Sequence, residues 1–282
     1  MTQSPAMPAE TESSPSPPPA RFSQVVRLAL RDAWDKLGVV LGVSLTWTLL
    51  LAFALGMERL VPRAAPVAAH LLVLFVALVL LLAAPLAGAY HIAHQIVTHD
   101  EVSYGEFWRG AARLYRPVVG LWAFDLFVMG VLSVNLWFYG RLGHVAGTVA
   151  MLLCLYLLLF WSLMALSHFP LLVAQEAGVF DEPGKFARRG TLAVLRRAFF
   201  LTLGRPFYAL GILVLVVPLT VLTGLTGVLF ALLLPGLLAL LTTHSTRALL
   251  VQFGVLPPPP PPEEVVPDER FKLKDTGRVR QD

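Results

Sequence analysis

The chain predicts an all-α polytopic bundle of about six transmembrane helices, on three observations. Six apolar runs of 17 to 23 residues contain no Lys or Arg. Of the chain's 22 cations, 19 fall in alternate gaps between those runs and three in the remaining gaps. The composition is 56% apolar and 14% charged, well below the roughly 25% charged residues of a soluble domain. A helix rises ~1.5 Å per residue and needs roughly 20 residues to cross a ~30 Å hydrocarbon core, so every run can span.

Residues 1–20 are rich in Pro, Ser, Thr and Ala and are expected to form a disordered tail ahead of a membrane domain over 21–253. In the first basic stretch Phe22, Val25, Val26, Ala29, Leu30 and Ala33 recur at spacings of three and four, opposite Ser23, Gln24, Arg27, Arg31 and Asp35. This pattern predicts an amphipathic helix in the headgroup plane, with Arg27 and Arg31 toward anionic lipid. The first span follows over 37–57; it lacks a small-residue cleavage site behind it and reads as a retained helix rather than a signal peptide. The second covers 67–89.

After the second span, Ser103 and Glu106 have capping-box spacing, which predicts a surface helix running to about Arg116. Pro117 would then sit in the first turn of the third span, 118–138, where a missing N–H costs nothing. The fourth span covers 145–166. A third surface helix within 185–205 carries Lys185, Arg188, Arg189, Arg196 and Arg197, with the last four expected at lipid headgroups. Pro206 opens the fifth span, 206–222, and the sixth covers 226–243. The uncharged break at Thr223, Gly224 and Leu225 leaves open a five-span alternative with one kinked hairpin bent further at Pro235 and Gly236. The C-terminal tail, 254–282, holds Pro257 to Pro262 and then a charged mix, and is expected to be disordered.

Lys and Arg beside a span resist translocation, so the cation-rich gaps predict the cytoplasmic side. Opposite them stand only Arg59, Arg63 and Arg141. Both termini are therefore expected in the cytoplasm, and an even number of crossings favours six over five. The pI near 9.5 has the same origin: cations flank spans, so lipid rather than nucleic acid is the expected partner. The lone Cys154, inside the fourth span, allows neither an intrachain disulfide nor a cysteine-rich metal site.

Asp125 is the only acidic residue within a span, seven residues beyond Val118 and thus ~10 Å into the hydrocarbon. An ionised carboxylate there needs a partner, water or a proton, and no span offers Lys or Arg. Two readings stand: a proton-coupled functional group, or a neutral acid joining helices through Ser, Thr or Tyr. Asn135 lies ten residues on and is turned roughly 80° away, nearer an aromatic anchor of Trp137, Phe138 and Tyr139. Five histidines, His91, His94, His99, His168 and His244, follow the cytoplasmic ends of even-numbered spans. His91 and His94 are one turn apart and form a weak candidate metal pair, with His168 or Asp100 as a third ligand. No phosphate-binding loop occurs, one carboxylate is too few for aspartyl chemistry, and Cys154 has no polar neighbour in sequence. The chain is expected to be non-catalytic and to need no cofactor.

The stretch from Gly88 through E-V-S-Y-G-E-F-W-R-G at Glu101 to Gly110, N-L-W-F-Y at Asn135 to Tyr139, and H-F-P-L-L-V at His168 to Val173 resembles the YesL-like family of bacterial membrane proteins. The motif residues are Glu101, Ser103, Glu106, Phe107, Trp108, Gly110, Asn135, Tyr139 and Pro170, and the resemblance covers roughly 21–253. It implies a polytopic inner-membrane protein that assists carbohydrate uptake, with a transporter permease subunit as partner. A small secondary transporter or channel using Asp125 is the alternative, and an intramembrane enzyme is the third.

Overall fold

The computed structural model describes residues 22–98, 102–180 and 190–257, so the two tails, Glu101 and the Lys185–Arg188–Arg189 cluster lie outside the described residues. Within them every regular element is helical: α1 Phe22–Asp35, α2 Leu37–Met57, a 3-10 turn Glu58–Leu60, α3 Val67–Thr98, α4 Gly105–Gly140, α5 Val145–Glu176, α6 Thr191–Gly204, α7 Pro206–Thr226 and α8 Val228–Gln252. Six of them are long and apolar enough to cross a membrane. The sixth crossing is separate from the fifth because Gly227, at a φ of 62°, breaks the chain between α7 and α8. That left-handed conformation is open to glycine and costs most other residues 1–2 kcal/mol or so.

Three spans run well past the apolar runs that predict them. The 32 residues of α3, 36 of α4 and 32 of α5 are about 48, 54 and 48 Å long, longer than the ~30 Å hydrocarbon. Hydropathy marks where a helix leaves lipid, whereas the backbone ladder continues as long as neighbours cover its extension. The surface helix expected before the third span is consequently the first part of α4 itself. Pro117 lies inside a continuous helix, as do Pro85 and Pro170, rather than opening one. Pro206 does occupy the first turn of α7.

Burial ranks the helices. Of the most apolar window of α8, 72% is buried, against 11–22% in the other five, so α8 is the central post. It packs against α1, α2, α3, α5 and α7. The cover from α1 comes from Val25, Ala29 and Ala33, the first two beside Ile212 and Leu241. Phe22 and Leu30, expected on that apolar face, are exposed instead. Alanine at the crossing lets the two backbones approach.

Pro235 interrupts the hydrogen-bond ladder of the post, and α2 supplies side-chain partners beside the interruption. Proline has no N–H, so the Ala231 carbonyl four residues earlier loses its helical donor. Thr48 Oγ1 donates to that carbonyl at 3.3 Å. One turn away the Gly236 N–H donates to Ser44 Oγ at 3.0 Å, with Ser44 fully buried. A Cβ at Gly236 would stand 2.9 Å from the Val40 carbonyl, so only glycine permits this crossing.

The packed layer sits toward the cation-rich ends. Ala83, Ala87, Leu114, Val118, Leu171 and Ala198 belong to one buried cluster there. At the opposite ends Leu49, Phe53, Leu72, Phe127, Val134 and Leu153 are exposed, the apolar surface a bilayer would cover.

Candidate functional site

The site begins with the register of α4. Val118, Leu121 and Asp125 fall at i, i+3 and i+7 and are all buried, so the carboxylate rides an otherwise apolar stripe facing α3 and α5. Its partner comes from α5. Because that helix continues past Leu166 instead of leaving the bundle, His168 is buried rather than interfacial. His168 Nδ1 lies 2.9 Å from Asp125 Oδ1 and 3.1 Å from Oδ2, with the imidazole fully buried and the aspartate 2% exposed. The sequence offers Asp125 no Lys or Arg, and a hydroxyl was the expected structural partner; a histidine on the next span takes that place.

Aromatic rings close the surroundings. Trp161, two turns before His168, meets the imidazole edge-on with ring centres 5.6 Å apart. Phe169 stacks on Tyr90 at 5.2 Å, and Thr242 of α8 donates to the Tyr90 hydroxyl at 3.5 Å. With Asp125 ionised, Nδ1 must carry the hydrogen and Nε2 becomes an acceptor. Neither His168 Nε2 nor the buried Trp161 Nε1 has a hydrogen-bond partner among the described residues. An acceptor and a donor are thus left unmatched beside a carboxylate.

The motif before the third span turns out to be a helix crossing. Phe107 is fully buried, and a Cβ on Gly88 would stand 2.6 Å from its ring. A Cβ on Gly110 would lie 2.4 Å from His91. Tyr104 closes a similar contact onto Gly42 and shares a 2.6 Å hydrogen bond with Thr46. The expected capping box does not form. Tyr104, which precedes the helix, makes no side-chain cap, and Glu106 pairs with Arg109 and lies 3.9 Å from His91. Trp108 is exposed.

Among the described residues no group of three or more metal-ligating side chains gathers at His91 and His94, and His168 pairs with Asp125. His91 Nε2 instead lies 3.1 Å from Gln95 Nε2, while His99 and Asp100 are outside the described residues. Pro170 is buried inside α5, and Asn135 donates to the Val131 carbonyl of its own helix at 2.8 Å. Near Tyr139, the Arg141 guanidinium stands 4.0 Å over the Trp137 ring.

Arg27, Arg31 and Arg196 lie exposed, as does the Arg109–Arg113–Arg116 face of α4. Arg197 overturns its assignment to lipid. It is 4% exposed, donates to Gln175 Oε1 at 2.7 Å and stacks over Phe180 at 3.9 Å. Burial pushes its guanidinium down from the ordinary arginine range. A signal for this exists in the sequence: Val194, Arg197, Ala198 and Leu201 form one stripe at i, i+3, i+4 and i+7, and all four are buried. Nearby, His244 Nε2 meets Asp32 Oδ2 at 2.7 Å, tying α8 to α1.

The comparisons give no family. No family model matches the chain, and no curated protein or solved structure matches it.

Proposed function

We propose that this six-span protein is a non-catalytic membrane scaffold of the YesL-like type, held in the inner membrane with both termini in the cytoplasm, and that its basic side receives a permease subunit of a carbohydrate-uptake system. The observation that carries this reading is how the motif residues are spent. Phe107, Gly110 and Gly88 are consumed in locking α3 to α4, while Arg109, Arg113 and Arg116 lie exposed on the same helix. A rigid stem with a row of cations suits binding to an acidic protein surface. Lipid headgroups take the exposed cations Arg27, Arg31 and Arg196.

The test is a photo-crosslinker placed at Arg109 or Arg113 in cells. Recovery of an identified permease subunit supports the scaffold, whereas adducts to lipid alone overturn it. Orientation is tested by introducing single cysteines at the same positions into a Cys154→Ser background, where labelling by an impermeant reagent from outside the cell would reverse the topology.

The buried Asp125–His168 pair favours a second reading, a small proton-coupled transporter. A scaffold needs no titratable pair inside its bundle, and such pairs in transporters relay protons. Proton flux into liposomes that disappears in Asp125→Asn while the protein stays folded selects this reading; unchanged or absent flux in both forms leaves the pair as a structural clasp.

A further inference from the structure

A cavity of about 220 Å³ lies where the ends of α3, α5 and α8 meet on the cation-rich side, apart from the Asp125–His168 pair. Arg247, Thr243 and Thr246 line it from α8, with Pro170, Ala174 and Leu250 among its apolar walls. His94 and Thr98 lie on its α3 side, and no carboxylate lines it among the described residues.

Two of these groups are left with capacity. Arg247 is half-buried, and its only hydrogen bond among the described residues goes to the Val97 carbonyl, with no ion pair. A guanidinium has five N–H donors, and a partly desolvated cation without a counterion is costly unless an anion joins it. Thr243 is 5% exposed and its buried hydroxyl has no partner. Arg247 lies four residues beyond Thr243, so both project from one face of α8 toward the same space.

We infer that this cavity binds a small amphiphilic oxyanion, whose head pairs with Arg247 and the Thr243 hydroxyl and whose short apolar stem lies against Pro170, Ala174 and Leu250. Size limits the stem. The volume is below the roughly 300–1,000 Å³ of drug-sized pockets, so the occupant is small, with a short chain such as the four carbons behind the carboxylate of pentanoate. The same chemistry could be presented by a free short-chain acid or by the head region of an anionic lipid reaching in from the membrane. Neutral sugars and bare divalent cations do not match a site whose one formal charge among the described residues is positive.

Purified full-length protein in neutral detergent is titrated calorimetrically with pentanoate and, in parallel, with pentanol. Saturable pentanoate binding is expected, with pentanol at least about tenfold weaker, because a hydrogen bond to a charged group is worth about that factor or more. Arg247→Gln should weaken pentanoate by about tenfold or more, and Thr243→Val by about fivefold. Ala177→Trp, at the exposed rim of the cavity, should block binding even if the Arg247 variant fails to fold. Competition by phosphatidylglycerol in the micelle assigns the site to lipid heads, and indifference to it assigns the site to a free acid. Absent pentanoate binding, equal affinity for pentanol, or unchanged affinity in folded Arg247→Gln or Ala177→Trp overturns the inference.

Discussion

Replacing Asp125 by leucine should destabilise the bundle more than any other single apolar substitution in α4, and a matching change at His168 should undo much of the damage. With Asp125 gone, His168 keeps two ring nitrogens in a fully buried position with no partner from the described protein. Removing one member of a buried ion pair costs about 3–5 kcal/mol, and of a buried neutral hydrogen bond about 1–3 kcal/mol. Both side chains are at most 2% exposed, so solvent screening takes little from either figure. Asp125→Leu combined with His168→Phe removes the orphaned groups together and keeps the volume, so its cost should be well below the sum of the singles. Asp125→Asn, whose amide oxygen can still accept from Nδ1, should be milder than Asp125→Leu. Each variant is unfolded reversibly by raising the mole fraction of dodecyl sulfate in mixed micelles, and the coupling energy is taken from the cycle. We expect a coupling of about 2 kcal/mol or more; additivity within ~0.5 kcal/mol would refute the interaction between the two residues.

At the α3–α4 crossing, Gly110→Ala places a Cβ 2.4 Å from His91 and should cost about 1–3 kcal/mol, read as a lower melting temperature. Gly120→Ala on the same helix meets nothing within 4 Å and should leave the melting temperature unchanged or slightly raised. Thr48→Val should cost about 0.5–1.5 kcal/mol in the native background but little in Pro235→Ala, where residue 235 regains an N–H for the Ala231 carbonyl; equal costs in both backgrounds would sink the repair account. Arg197→Ala should destabilise by about 1–3 kcal/mol and Arg196→Ala by under ~0.5 kcal/mol, since only Arg197 leaves a buried acceptor, Gln175, unpaired.

Part of the site was legible and part was not, for reasons that can be named. Asp125 was visible because an acid within an apolar run is expensive anywhere along it, whatever surrounds it. His168 was not visible as its partner, since the apolar run ends at Leu166 and the two residues lie 43 positions apart. Whether they meet depends on how far α5 continues and how α4 and α5 are rotated. The glycines of the motif were read through resemblance, whereas their role, clearance for Phe107 and His91, exists only where two helices cross. Arg197 is the reverse case: its apolar stripe was present in the sequence, but four other cations around it suggested a lipid-facing surface.

The sequence by itself determined the class and the charge asymmetry between the ends of the spans, and favoured six of them over five, because crossing a bilayer is a property of each segment taken alone, set by its length, its hydropathy and the cations beside it. Only the tertiary structure decided that α8 is the central post, that Ser44 and Thr48 bond its backbone around Pro235 from 192 and 183 residues away, and that an imidazole answers the buried carboxylate. Those outcomes depend on helix rotation and depth. In a chain whose spans are apolar on every side, hydropathy carries no record of which face turns inward; that is set by where small residues, kinks and lone polar groups can be satisfied together.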